Sequence, residues 1–330
     1  QQTATLTANG ATTYSWIPGT GLSSTTASVV TGNPASTQNY TLVGMDANGC
    51  LNGTVTTIAV NPLPTVTVNS ATICAGQQTA TLTANGASTY SWIPGTGLSS
   101  TTGAVVTGTP GATENYTVVG MDANGCLNGT TTAIFVNSLP TVTVNSSTLC
   151  VGQQTATLTA NGATNYTWSP GTGLSATIGS VVNGTPVSTQ DYTVTGADAN
   201  GCLATANSTI TVNSLPTVTT NSASICIGQQ TATLTANGAI TYSWIPGTGL
   251  SSTTASVVTG TPGSTQNYTL VGMDANGCIN GTITSIFVNS VPTVTVNSET
   301  ICLGQQTATL TANGAGTYSW SPATGLNVAT

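Results

Sequence analysis

The sequence contains no Lys, Arg or His, so any chemistry beyond hydroxyls and amides falls to eight cysteines and seven carboxylates. The carboxylates are Asp46, Glu114, Asp122, Asp191, Asp198, Asp274 and Glu299. Without His or Lys, a Ser–His or Cys–His nucleophile and a lysine base are excluded. Paired-carboxylate hydrolysis needs two acids flanking one bond, and here they are scattered along the chain. Asp191 and Asp198 are the nearest pair, and they bracket a short apolar-polar alternation, which suits solubility and turn formation. No catalytic role and no cofactor are expected. The cysteines stand at Cys50, Cys74, Cys126, Cys150, Cys202, Cys226, Cys278 and Cys302, a regular two-per-period pattern. That regularity favours disulfides, with structural thiols or a metal site as the alternative.

Composition removes further classes of function. Affinity for a phosphate backbone comes mainly from Lys and Arg, so a nucleic-acid partner is excluded. A basic membrane-surface helix is excluded on the same ground. No apolar run of about 18 residues is present to cross a bilayer, and no basic-then-apolar stretch marks a signal peptide, so neither membrane insertion nor an export signal is expected within these residues. Charged residues are only 2% of the chain, leaving Thr, Ser, Asn and Gln to carry solubility. Val, Ile, Leu and regularly spaced Trp and Tyr supply cores.

The elements that must position the cysteines are repeated. "GQQTATLTANGA" begins at Gly76, Gly152, Gly228 and Gly304, and its shortened form opens the chain at Gln1, a strict period of 76 residues. The joints are "NPLP" (61–64), "NSLP" (137–140), "NSLP" (213–216) and "NSVP" (289–292). These place whole domains at 64–139, 140–215 and 216–291, a headless one at 1–63 and a tailless one at 292–330. The sequence therefore reads as a window on a longer array.

Within 64–139 the apolar residues alternate with a period of two. "TVTVN" (65–69) sends Val66 and Val68 to one face, and "TATLTA" (79–84) does the same with Ala80, Leu82 and Ala84. "TYSW" (89–92) places Tyr90 and Trp92 together; "AVVT" (104–107), "NYTVVGM" and "TTAIFV" complete the set. Between the last two lies "DANGC", whose Asn-Gly is a strong hairpin signal. No helical period is present. The expectation is all-β: a tandem array of Ig-like or PKD-like β-sandwiches, each of six or seven short strands.

The residues "TICAGQ" (72–77), "YSWIPGTGLS" (90–99) and "NYTVVGMDANGC" (115–126), with the Pro-containing joints, carry a resemblance. The whole chain resembles the Ig-like and PKD-like repeat modules of large Bacteroidota surface proteins, including gliding-motility adhesin repeats exported by type IX secretion. PKD domains usually carry an acidic "WDFGDG" where this chain has "WIPGTG", so the likeness is one of architecture. It implies an exported, extracellular cell-surface role under mechanical load.

Trp16, Trp92, Trp168, Trp244 and Trp320 recur once per copy and are expected in the cores. Facing outward instead, they would form a ladder for stacking sugars. The "MDANG" turn offers Asp122 and Asn124, with equivalents Asp46/Asn48, Asp198/Asn200 and Asp274/Asn276. Ca²⁺ takes about six to eight oxygens, and one acid per turn supplies too few, so an Asx-stabilised hairpin is expected and no metal. The glycines of "PGTG" (94–97) read as turn formers, since no helix follows to make a phosphate cradle. Asn-X-Thr sequons at Asn39, Asn115, Asn128 and Asn267 arise readily in a chain so rich in Asn and Thr.

Two disulfide sets are open. Pairing inside a domain gives Cys74–Cys126, Cys150–Cys202 and Cys226–Cys278. In an Ig-type sandwich, however, the first strand carries Cys74 to the C-terminal pole, whereas Cys126 follows a hairpin at the N-terminal pole. The poles are more than about 20 Å apart, against about 7 Å between Cα atoms of a disulfide. Head-to-tail neighbours bring opposite poles together, so the favoured set is Cys74–Cys202 and Cys150–Cys278, with Cys50, Cys126, Cys226 and Cys302 left to partners outside the window.

A disulfide-stiffened stalk or filament segment of a surface adhesin is the expected function, each domain adding roughly 35–45 Å. An array binding polysaccharide or another cell through exposed Trp and Tyr is the alternative. The expected partners are neighbouring repeats of the same chain and other copies in a filament. Polymerisation by strand donation is a further option, although the two ends overlap in register at 1–26 and 305–330 rather than complementing each other.

Overall fold

The computed structural model describes residues 2–304 and 306–327. It is an all-β tandem array of sandwiches, and each sheet draws its strands from a single 76-residue repeat. The repeat at 64–139 is representative. One sheet orders the strands Val105–Gly108, Ala80–Asn85 and Thr67–Val68; the other orders Ala71–Cys74, Leu127–Asn137, Glu114–Met121 and Thr89–Ile93.

The strand expected at 65–69 is confined to Thr67–Val68, and a further strand, Ala71–Cys74, follows it in the other sheet. Thr67–Val68 pairs with Asn85 and Ala84, and the chain then crosses over at Asn69. The Asn69 side chain donates to Thr81 O at 3.0 Å and accepts from Thr83 N at 2.6 Å, closing the first ladder. Its carbonyl accepts from Thr132 Oγ1 of the opposite sheet at 2.7 Å. Ala71–Cys74 then runs parallel to the last strand, with Ile134 beside Ala71 and Asn137 beside Cys74.

Alternation delivers the core. Leu82, Trp92, Tyr116, Val118 and Ile134 meet between the sheets, fully or almost fully buried. Burial of such aromatics requires partners for their polar tips. Trp92 Nε1 donates to Gly103 O at 2.9 Å and Tyr116 Oη to Thr96 O at 2.8 Å. Burial, aided by the Glu114 charge, raises the Tyr116 pKa and keeps that hydroxyl a donor. The same pattern holds at 140–215 and 216–291. Gly86, just after Ala80–Asn85, meets the segment that leads into its sheet partner Thr67–Val68: at φ +96°, a Cβ there would stand 1.8 Å from Thr65 O.

The first repeat has a two-stranded sheet, Ala4–Thr7 with Val29–Gly32, and a three-stranded one, Thr13–Ile17, Gln38–Met45 and Leu51–Ile58. In 292–327 the described strands are Thr295–Val296 and Ala312–Asn313, paired with each other. Trp320, in this last repeat, is half-buried. The chain gathers into two compact units, Gln1–Thr141 with Gly196–Ala204, and Val142–Thr195 with Thr205–Thr330.

Candidate functional site

Each cysteine pair is presented by two local devices, a tip and a socket. The tip is the hairpin turn before the last strand. In the first unit Asp198 Oδ1 accepts from Asn200 N at 2.8 Å and from Cys202 N at 2.9 Å, while Asp198 N donates to Cys202 O at 3.0 Å. The carboxylate thus holds the Cys202 backbone with the chain reversed at Gly201, an Asx turn of the kind short acidic side chains form. Asp46, Asp122 and Asp274 bind their own turns in the same way. At Asp46 the backbone N–H of Cys50 is the main cause of a lowered pKa, opposed by desolvation and reinforced by Asn48 and Gly49.

The socket follows the crossover strand. Ala75 N donates to Asn137 O at 3.0 Å and Gln77 N to Cys74 O at 3.1 Å, folding "CAGQQ" into a tight turn. Gln78 Oε1 accepts from Cys74 N at 3.2 Å and fixes the cysteine backbone.

Strand register separates the two disulfide sets. Cys74 lies beside Asn137, the last residue of Leu127–Asn137, and Cys126 immediately precedes its first. Eleven residues at about 3.3 Å each put them roughly 35 Å apart. The tip of one repeat meets the socket of the preceding one. Cys74 is bonded to Cys202 and Cys150 to Cys278, each with Cα atoms 5.4 Å apart, within the range a disulfide spans.

A second element of each joint is a glutamine clamp. Gln77 Nε2 donates to Leu203 O at 2.6 Å and Gln77 Oε1 accepts from Leu203 N at 3.1 Å. Gln153 grips Ile279 through the same two groups. The side-chain amide presents a donor and an acceptor side by side, matching one residue's N–H and C=O. Sequence reasoning did not find this clamp; its only signal was the paired Gln-Gln in every repeat. Joined, Cys74, Cys150, Cys202 and Cys278 are at most 2% exposed. Cys126 and Cys226 remain half-buried thiols, and Cys50 and Cys302 exposed ones.

The outward tryptophan ladder is not formed. Trp16, Trp92, Trp168 and Trp244 are at most 4% exposed, and each indole N–H is taken by a backbone carbonyl, for example Ala27 O at 3.0 Å from Trp16.

No protein-family model matches the chain, and no curated protein is similar to it. Among solved structures it is similar to a Ca²⁺-stabilized adhesin that helps an Antarctic bacterium reach out and bind ice, at 16% identity over 87% of this chain and 94% of that one, TM-score 0.34. It is also similar to immunoglobulin domains 1–5 of Sidekick-1, at 13% identity over 88% and 77%, TM-score 0.27. A third likeness is to the N-terminal eight Ig domains of Down Syndrome Cell Adhesion Molecule, at 13% identity over 94% and 49%, TM-score 0.28.

Proposed function

We propose that this chain is a structural, non-catalytic segment of an extracellular surface adhesin, a stalk or filament whose repeats are covalently locked to one another. The observation that carries this reading is the joint. Consecutive repeats are linked twice, once through a short peptide such as Ser138-Leu139-Pro140 and once through Cys74–Cys202 or Cys150–Cys278. A disulfide across the joint bears load in parallel with the peptide and holds the angle between neighbours, and a device that fixes orientation suits a spacer better than a set of independent binding sites. Disulfides persist outside the reducing cytosol, which supports an exported location, as does the resemblance to type IX-secreted Bacteroidota repeats.

Small-angle scattering on the oxidised protein tests this reading. A rod lengthening by roughly 35–45 Å per 76-residue repeat is expected from strands of about six residues plus loops. A compact particle for three whole repeats contradicts it.

A further inference from the structure

The four-stranded sheets of 64–139 and 216–291 turn an apolar face outward, and the sheet of 140–215 does not. In 216–291 strand alternation sends Ile245, Val271, Met273, Ile279, Ile283 and Phe287 away from the core. Register gathers them, with Ile245 and Ile283 on either side of Thr269 and Met273 beside Ile279. Ile245, Ile283 and Phe287 are 55%, 71% and 50% exposed. In 64–139 the same places hold Ile93, Val119, Met121, Leu127 and Phe135, and in 1–63 Ile17, Val43, Met45 and Val55 face outward likewise. Single exposed apolar side chains are ordinary, whereas a contiguous patch marks a contact surface. None of the outward residues on the strands of these two four-stranded sheets is ionisable.

The repeat at 140–215 keeps the core and changes the face. Trp168, Tyr192, Val194 and Ile210 are buried like their counterparts. Outside, Ser169, Thr195, Ala197 and Thr211 stand where Ile93, Val119, Met121 and Phe135 stand, and Asp191 replaces Asn115. Asp191 Oδ1 accepts from Thr209 Oγ1 at 2.6 Å, and the chain has no Lys, Arg or His to pair with it. A second copy laid over this face would bury a carboxylate that neither copy can neutralise, which is strongly unfavourable.

Area selects the partner for the apolar faces. Four strands at about 4.8 Å and seven residues at about 3.4 Å cover roughly 450 Å². One face on another therefore buries roughly 900 Å², short of the about 1,200 Å² of a stable interface, and two such pairs exceed it. The partner must offer several uncharged apolar faces with the same repeat-to-repeat spacing, and a second copy of this chain does so by construction.

We propose that two copies of this chain associate side by side through these outward faces, like repeat on like repeat. A slip by one repeat sets Asp191 against an apolar face, so the polar face of 140–215 fixes the register. The proposal deepens the stalk-or-filament reading on which it rests by naming the lateral partner.

The test is sedimentation velocity of the oxidised chain, with free thiols alkylated, from about 1 μM to about 1 mM. A reversible shift from 32.6 kDa to twice that mass is expected. Asn39→Asp with Asn115→Asp and Asn267→Asp copies Asp191 onto each apolar face. Asn39 Oδ1 and Asn267 Oδ1 accept from Thr57 and Ser285 as Asp191 does from Thr209, so the sandwiches keep their fold. This variant weakens the dimer roughly tenfold or more at pH 7, and association returns at about pH 3, below the ordinary aspartate pKa of about 3.9. Ile17→Ser with Ile93→Ser and Ile245→Ser, copying Ser169, weakens it at both pH values. Asp191→Asn with Ser169→Ile strengthens it. A chain still monomeric at about 1 mM, or a dimer indifferent to both triple variants, overturns the proposal. Monomers that adhere to alkyl-coated beads through the same isoleucines overturn it in favour of a foreign apolar surface. A monomeric rod in small-angle scattering leaves the stalk reading standing and removes this one.

Discussion

At the scale of single residues, the joint depends on side chains that hold backbone. Asp46 accepts from Asn48 N and Cys50 N, and these bonds favour the carboxylate, so its pKa is lowered from 3.8. A depressed acid contributes its turn-holding bonds above the unfolded pKa and loses them as pH falls through the folded one. The Cys50 amide resonance is expected to titrate with a midpoint below 3.8; a midpoint above it contradicts the turn. Gln77 offers a second residue-level test. Each hydrogen bond contributes about 1 kcal/mol, so Gln77→Ala, which removes both bonds to Leu203, is expected to speed exchange of the Leu203 amide roughly 30-fold. Unchanged exchange shows that the disulfide alone holds the tip.

At the scale of elements, core and turn positions respond to different costs. Trp92→Ala removes a buried indole from between the sheets and is expected to destabilise its repeat by roughly 3–5 kcal/mol, measurable in urea unfolding. Gly86→Ala and Gly76→Ala both place a side chain at positive φ, but only Gly86 faces backbone, the Thr65 carbonyl. The Gly76 variant is expected to lose about 1–2 kcal/mol and the Gly86 variant distinctly more; equal losses contradict the close approach.

The alternation in "TATLTA" and "NYTVVGM" made the long strands legible, and Asn-Gly marked the hairpin. The crossover was not legible. Ala71–Cys74 is four residues long between two turns, and its sheet is decided by Asn69 bonding to Thr81, Thr83 and Thr132, contacts far apart in sequence. Cysteine spacing alone left two pairings open, and strand direction distinguishes them. The glutamine clamp depends on where a neighbouring repeat stands, which composition and periodicity do not encode.

At the scale of the whole molecule, the disulfides make overlapping shortcuts. Cys74–Cys202 and Cys150–Cys278 each span 128 residues of sequence, so either one alone withholds about 460 Å of extended chain at roughly 3.6 Å per residue. Together they withhold more, because the two bonds cross and the shortest path from Cys74 to Cys278 runs through both of them and the chain between Cys150 and Cys202. Pulling between the termini is therefore expected to leave Cys74→Ser roughly 80 Å longer than the oxidised protein, and reduction of Cys74→Ser is expected to add about 460 Å more. Equal final lengths for the oxidised protein and Cys74→Ser contradict the crossed pairing. The covalent joint between consecutive repeats is tested most directly by peptide mapping of the oxidised chain without reductant, using a protease that does not need Lys or Arg. Peptides linking Cys74 to Cys202 and Cys150 to Cys278 are expected; peptides linking Cys74 to Cys126 or Cys150 to Cys202 contradict it.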